Sequence, residues 1–148
     1  MAKVLVRQSS LATPPFNVSR YGRVQFDHQF DLEDFFDCAV LEIKIGQGPF
    51  VDIESAGGQF VAGRYNDVLI DSDNPIDVER LGRKAWTGGS GGYQHVVANL
   101  PGTANSQTVQ LRWRVGADHN NTSPHEGYWL DNIVVTPNDS DVIFRDGF

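Results

Sequence analysis

The chain has 148 residues, a length that suits one domain with a sizeable hydrophobic core. Its formal net charge of −7 argues against nucleic acid and anionic membranes, whose binding requires basic patches, and no stretch is apolar enough for membrane insertion. A single cysteine, Cys38, excludes an intramolecular disulfide.

The first ten residues contain a short apolar run at 4–6 but no signal peptide. They lack both the apolar stretch of seven or more residues and the small-residue cleavage site that such a peptide needs. If the natural protein is secreted, we expect its signal outside this chain.

Strand signals dominate the sequence, and helical periodicity is nearly absent. Residues 23–32 alternate between apolar and polar side chains, which is typical of a half-buried strand. The alternation predicts that His28 faces inward as a hydrogen-bonded core histidine. The inward set is Val24, Phe26, His28, Phe30 and Leu32, and the outward set is Arg23, Gln25, Asp27, Gln29 and Asp31.

Residues 38–45 form the next predicted strand, with apolar side chains on one face and Glu42 and Lys44 on the other. A glycine-rich turn and a short strand at 50–53 follow, so we expect a hairpin. Cys38 opens the longer strand and lies near no helix start or histidine in sequence. It is therefore expected to be a small core residue rather than a nucleophile.

Residues 55–92 are rich in Gly, Asp and Asn and predict a long loop excursion with little regular structure. Loops of this length in a compact domain are usually functional or flexible. Strand-like patterns return at 93–100, 107–115 and 127–135. Seven or eight strands with long loops and almost no helix predict an all-β fold, an antiparallel β-sandwich.

Three segments resemble a bacterial extracellular β-sandwich of the jelly-roll kind, near MAM-like and galactose-binding-like domains and often appended to secreted peptidases. They are residues 36–45, 82–93 and 109–135. The resemblance covers about residues 20–136. It implies jelly-roll topology in one domain spanning 1–148, with 137–148 as a C-terminal tail.

The ending IFRDGF, residues 143–148, resembles a short C-terminal tag found on many secreted proteobacterial proteins. That likeness implies that the chain is the C-terminal module of a larger secreted protein, with a covalently linked neighbouring domain. An extracellular localisation follows from the same resemblance.

Asp131 stands in the middle of the apolar run GYWLDNIVV, where an unpaired buried carboxylate would cost several kcal/mol. Three explanations remain open: pairing with Arg112 or Arg114, acceptance of backbone N–H bonds at a strand bulge, or ligation of calcium. In the sandwiches that the sequence resembles, an acid at this position helps to hold a structural calcium. The resemblance then implies a ligand set of Asp27, Asp31, Asp37 and Asp131.

Aromatic residues beside the long excursion predict a second kind of site. Exposed rings bind the flat apolar faces of sugars, while neighbouring polar groups bind the hydroxyls. Trp86 has an alternative role, since in the resembled domains it belongs to the packed framework. The candidate ligand-binding residues are Tyr65, Asn66, Asp67, Arg83, Trp86 and Tyr93.

Motifs of catalysis are missing from the sequence. No nucleophile elbow, phosphate-binding loop or HExxH zinc motif occurs. His119 and His125 share a loop with two acids, but their spacing matches no helical or hairpin ligand pattern, so a solvated loop is the expectation.

These observations predict a non-catalytic accessory module of a secreted bacterial protein that binds a carbohydrate or protein surface. One alternative is a hydrolase or lyase with its active site beneath residues 55–92. Another is a purely structural adhesion domain, which would expose a flat apolar patch and no pocket.

Overall fold

The computed structural model describes residues 2–4, 8–68, 83–117, 127–138 and 144–145. These residues form the predicted all-β fold, in which antiparallel sheets pack together as a sandwich. The described part of the chain contains one short 3-10 turn, Gly102–Ala104, and no α-helix. None of its segments is therefore a helix that could span a membrane.

Both short and long strands occur along the described chain. In order they are β1 (Ala2–Val4), β2 (Gln8–Ala12), β3 (Phe16–Asn17), β4 (Arg23–Asp31), β5 (Cys38–Ile45), β6 (Phe50–Asp52), β7 (Gln59–Ala62), β8 (Asp67–Val68), β9 (Lys84–Ala85), β10 (Gln94–Asn99), β11 (Thr108–Gly116), β12 (Gly127–Thr136) and β13 (Phe144–Arg145).

Two sheets contain most of these strands. The larger sheet has the order β1-β12-β4-β10-β7, and β13 pairs with β12 beside that path. The smaller sheet has the order β2-β11-β5-β6, with β3 also paired to β11. Strands β8 and β9 form a separate two-stranded ribbon. The chain crosses between the two sheets several times, for example from β4 to β5 and from β10 to β11, but jelly-roll topology itself stays a prediction.

The core lies between the inner faces of the two sheets, where the predicted alternation places the apolar side chains. Strand β4 is buried at every second residue, and its inward set includes His28 as predicted. Strand β11 contributes its apolar positions in the same way. Cys38 is also buried, as predicted, and burial raises the pKa of its thiol to about 12. The thiol therefore stays protonated and unreactive at neutral pH.

The predicted hairpin is β5 and β6, joined by a turn in which Gly46 has φ +59°. Such a positive φ favours glycine, which has no Cβ to clash. Glu42 lies on the outward face of β5, as the alternation predicts, but its side chain is not exposed to solvent. Its carboxylate is buried and accepts from Arg112 Nε at 2.8 Å, with Arg114 at 3.5 Å.

Several short strands were not predicted. Strands β2 and β3 precede residue 20, so the sandwich includes chain that lies before the 20–136 core expected from the resemblance. The 55–92 excursion contains β7 of the larger sheet and the β8–β9 ribbon, so it is more regular than expected. Within the tail, β13 pairs with Val134 and Val135 of β12.

Candidate functional site

The outward side of the larger sheet, called the outer face below, is a polar surface. Residues paired across antiparallel strands share a face, and β10 aligns His95 with Asp27 and Asn99 with Arg23. The alternation predicts this side of β4 as the outward face of a half-buried strand, and of its residues only Asp27 and Asp31 are predicted site residues. The outer face is defined here by Arg23, Gln25, Asp27, Gln29, His95 and Asn99.

A β-bulge in β12 explains the acid inside the apolar run. Asp131 pairs with Asp27, but the register then shifts by one residue before Val134 pairs with Gln25. Asn132 is the extra residue, with φ +53°, and its backbone N–H donates to Asp131 Oδ1 at 2.9 Å. Because the bulge turns both polar residues outward, Asp131 is partly exposed rather than buried. The second of the three explanations for Asp131 is therefore the one observed.

The pairing of Asp131 with Arg112 or Arg114 is wrong, because β11 belongs to the smaller sheet and β12 to the larger. Both arginines instead contact Glu42 on β5, their neighbouring strand. The sequence pattern alone could not distinguish these partners, since it does not say which strand lies in which sheet.

Asp27 organises the middle of the outer face. Its Oδ2 accepts from Asn132 Nδ2 at 2.8 Å, and its Oδ1 lies 2.7 Å from His95 Nδ1. The hydrogen bond with His95 is the main reason that the pKa of Asp27 is lowered, with partial burial opposing it and Asn132 reinforcing it. His95 Nε2 then lies 3.2 Å from Gln25 Oε1. A hydrogen-bonded chain thus connects the bulge to Gln25.

Gln25 also lines a pocket of about 400 Å³ at one end of the outer face, called the end pocket below. This volume falls within the range of small-molecule sites. The lining combines a phenol ring, a guanidinium, amides and a hydroxyl with one leucine. It consists of Tyr21, Gly22, Arg23, Gln25, Asn99, Leu100, Thr136 and Asn138.

Tyr21 gives the end pocket an exposed aromatic wall. The residue is 64% exposed and has φ +59°, a left-handed conformation that is an outlier for a bulky side chain. Its backbone N–H donates to Asn105 Oδ1 at 3.2 Å. The Arg20 guanidinium lies 4.8 Å from the ring centroid and donates to the Tyr21 hydroxyl at 3.0 Å. Its neighbours therefore contact both the strained backbone and the ring of Tyr21.

The sequence-predicted aromatic site has a different geometry from the one expected. Trp86 is fully buried, and Tyr65 is nearly so, in edge-to-face contact with it at 4.7 Å between centroids. Trp86 Nε1 donates to the carbonyl of Gly63 at 3.0 Å. The Tyr65 hydroxyl donates to Asp52 Oδ2 at 2.7 Å. Neither ring offers an exposed face. The position of Trp86 therefore matches the alternative in which it packs into the framework of the sandwich.

The polar members of that predicted site are also engaged. Arg83 forms an ion pair with Asp52 at 3.1 Å. Asn66 exchanges two hydrogen bonds with the Thr87 backbone, at 2.8 and 2.9 Å. Tyr93 differs, since it is 48% exposed.

A second pocket of about 450 Å³, called the lateral pocket below, includes part of the predicted site. Tyr65, Asn66 and Asp67 contribute to its wall, whereas Arg83, Trp86 and Tyr93 do not. Its described lining contains carboxylates but no histidine, so it lacks the convergence of acids and a histidine expected of the hydrolase or lyase alternative. The lining is Glu54, Gln59, Phe60, Arg64, Tyr65, Asn66, Asp67, Val68 and Lys84.

The predicted calcium ligands do not form one group in the structure. Asp27 and Asp131 lie opposite each other, while Asp31 pairs with Gly127 and bridges Gly89, and Asp37 precedes β5. Across the described ranges, no group of three or more His, Cys, Asp or Glu side chains could hold a metal ion. Both Asp27 oxygens already have protein partners. Calcium binding stays a prediction.

His28 lies in the core beneath the outer face. Four aromatic rings meet its ring edge-on, the nearest being Trp86 at 4.6 Å between centroids, and its Nδ1 lies 2.7 Å from the Tyr128 hydroxyl. Burial lowers the pKa of His28 to about 3, although the nearby Gln94 side chain and Asp27 carboxylate oppose the shift. Nε2 itself has no partner with hydrogen-bonding geometry. His28 is therefore a neutral structural histidine at physiological pH.

His119 and His125 lie outside the described residues, as do their acidic neighbours. No known family model matches the sequence. A search of curated proteins likewise finds no significant relative. The likeness to MAM-like and galactose-binding-like domains stays a prediction.

Proposed function

We propose that this chain is a non-catalytic binding module that takes carbohydrate in the end pocket. The single observation that carries the proposal is Tyr21, an exposed ring kept in a strained backbone conformation beside a polar pocket. Such strain persists only where surrounding structure enforces it, and it concentrates at ligand sites. Stability alone does not require a tyrosine here, because glycine would adopt the same conformation without steric strain.

The chemistry of the lining supports a sugar over an apolar ligand. Sugars present hydroxyls that donate and accept, and an apolar ring face that packs on aromatic side chains. Amides at Gln25 and Asn99 and the hydroxyl of Thr136 offer both donors and acceptors. Tyr21 supplies the apolar wall. A role as an accessory module of a secreted protein rests on the sequence resemblance and is part of the same proposal.

The Asp27–His95 pair favours a binding role rather than catalysis. No hydroxyl or thiol nucleophile contacts the pair in the described residues, and its hydrogen bonds lead to Gln25 and Asn132. The pair thereby positions Gln25 at the end pocket. A structural adhesion role alone would leave the polar pocket and the strain at Tyr21 without a function.

Affinity electrophoresis through gels that contain soluble polysaccharides tests the proposal. We expect one or more neutral or acidic polysaccharides to retard the wild type. The variant Tyr21→Ala should lose most of this retardation, and Tyr93→Ala should keep it, because Tyr93 is exposed but lies outside the end pocket.

Three outcomes would contradict the proposal. Unretarded migration of the folded wild type in a broad panel of polysaccharides would exclude carbohydrate binding. Loss of retardation in Tyr93→Ala but not in Tyr21→Ala would move the site toward the 55–92 excursion. Release of reducing ends from a retarding polysaccharide would instead establish the hydrolase or lyase alternative.

A further inference from the structure

The end pocket differs in charge from the protein as a whole. The chain has 19 acidic and 12 basic residues, yet the described lining of the pocket includes a guanidinium, that of Arg23, and no carboxylate. Arg20 adds a second positive charge beside Tyr21. A cationic pocket on an acidic protein attracts an anionic group and disfavours a cation.

Arg23 is oriented for a ligand rather than for a protein partner. Its Nε donates to Asn99 Oδ1 at 3.2 Å, which fixes the plane of the guanidinium. Within the described residues, its two terminal nitrogens make no hydrogen bond to the protein. An oriented guanidinium edge with two free N–H groups matches the two oxygens of a carboxylate, which it binds bidentately.

The remaining lining fits the rest of a sugar ring. Gln25 and Asn99 can exchange hydrogen bonds with hydroxyls, and the exposed Tyr21 ring can cover an apolar face. One guanidinium in the lining balances one negative charge. A carboxylate carries that charge, and its two oxygens match the free edge of the guanidinium.

Building on the proposed carbohydrate binding, we infer that the end pocket selects a hexuronate, a sugar residue that bears a carboxylate. Arg23 binds the carboxylate, and Asn99 is the positioning residue that holds the guanidinium in place. Tyr21 covers the sugar ring. The ligand is therefore an acidic polysaccharide or an oligosaccharide derived from one.

Calorimetric titration with matched probes tests this selectivity. The probes are a short oligogalacturonate, its carboxyl-reduced neutral counterpart and a short alginate oligosaccharide. We expect the wild type to bind at least one uronate about tenfold or more tightly than the neutral probe, the effect of a charge-assisted hydrogen-bonded pair. In Arg23→Gln the ratio of acidic to neutral affinity should fall to about one, and Arg23→Lys should restore it only partly.

Lys44→Gln is the matched control, since it removes a cation from β5 of the smaller sheet that does not line the pocket. It should reduce the ratio much less than Arg23→Gln. Asp139 and Asp141 follow Asn138 in sequence but lie outside the described residues. Repeating the titrations at several salt concentrations separates the long-range effect of the net charge of the protein from the direct contact with Arg23.

The outcomes separate this inference from the proposed function. Equal binding of acidic and neutral probes, preference for the neutral probe, or a ratio that Arg23→Gln leaves unchanged would overturn hexuronate selection while carbohydrate binding stood. If neither uronate binds but a neutral polysaccharide retards the protein, hexuronate selection is again wrong. If the protein binds no glycan at all, the proposed carbohydrate binding is wrong, and the hexuronate selection that depends on it is wrong as well.

Discussion

Tyr21 combines two features that natural sequences seldom place together: an exposed aromatic ring and a left-handed backbone. An L-residue in that conformation costs about 1–2 kcal/mol, because its Cβ approaches the following carbonyl oxygen. The Asn105 side chain, which accepts from the Tyr21 amide, offsets part of this cost. Because the remaining strain destabilises the fold, we infer that Tyr21 contributes more to surface chemistry than to folding.

Two substitutions at Tyr21 separate the ring from the strain. Both Tyr21→Gly and Tyr21→Ala remove the ring, but only glycine relieves the backbone. We expect the glycine variant to be more stable than the alanine variant by about 1 kcal/mol, the reverse of the usual order at ordinary φ. Urea unfolding midpoints, compared at equal slopes, measure the difference. An alanine variant as stable as the glycine variant would contradict the strain.

His28 predicts how stability depends on pH. The pKa of the folded histidine is about 3, whereas the ordinary value is 6.5, so the unfolded chain binds the extra proton between these values. Stability is therefore full above pH 6.5 and falls as the pH drops toward 3. At pH 4.5 the loss from this residue is about 3 kcal/mol.

A double variant isolates that contribution. His28→Phe with Tyr128→Phe removes both polar partners, a change that can be nearly neutral in stability at pH 7. Between pH 6.5 and 4.5 the variant should lose much less stability than the wild type in urea unfolding. Asp27 does not interfere in this pH range. Because its pKa is lowered in the folded protein, the stability that its carboxylate contributes is lost only below its ordinary pKa of 3.8. Parallel losses in both proteins would contradict a neutral buried His28.

At the level of elements, strands with clear alternation could be predicted from the sequence and short strands could not. Strand β4 and strand β11 each show the two-residue period over nine residues, which fixes both the element and its inward face. Strands β3, β8 and β9 have two residues each, too few for any period to be visible. Their existence depends on backbone pairing with distant segments.

The bulge in β12 could be predicted from the sequence only in part. Asp131 and Asn132 interrupt an apolar run, and a bulge was one of three explanations that the sequence left open. Sequence could not select it, because a bulge is defined by the register against β4. The interruption keeps Leu130 and Ile133 both buried although they are three residues apart.

Substitutions at Asn132 test the bulge. Asn132→Gly loses the hydrogen bond to Asp27 but fits φ +53° without strain, so we expect a cost of about 1 kcal/mol or less. Asn132→Val loses the same bond and adds a β-branched side chain at a forbidden φ, so it should cost about 1–2 kcal/mol more. Thermal unfolding monitored by circular dichroism gives the comparison. Equal midpoints for the two variants would mean that Asn132 is not left-handed.

For the whole molecule, the candidate site depends on how distant segments meet. Tyr21 precedes β4, Arg23 begins it, Asn99 ends β10 and Thr136 ends β12. Only sheet formation therefore places them around one pocket. In the sequence, aromatic residues beside loops are the candidates for exposure, but two of them, Tyr65 and Trp86, are buried in the structure. Alternation marked Arg23 and Gln25 as outward but gave no sign that a pocket forms there.

Calcium binding is a separate prediction about the whole molecule, and it follows from the resemblance to jelly-roll β-sandwich domains. Millimolar calcium, compared with excess EDTA, should raise the thermal midpoint by several degrees, since a ligand at about 100 times its dissociation constant adds about 2.7 kcal/mol. The rise should vanish in Asp131→Asn. Coincident wild-type curves would exclude a structural calcium and leave Asp131 as the acceptor of the Asn132 amide alone.

The most direct test of the central claim is to map glycan binding onto the structure. Amide resonances of ¹⁵N-labelled protein would be followed during titration with the polysaccharide fragments that retard it in affinity gels. The account predicts shifts concentrated at the end pocket, in Tyr21, Arg23, Gln25, Asn99 and Thr136. Shifts concentrated at the lateral pocket or around Tyr93, or no shifts at saturating glycan, would contradict it.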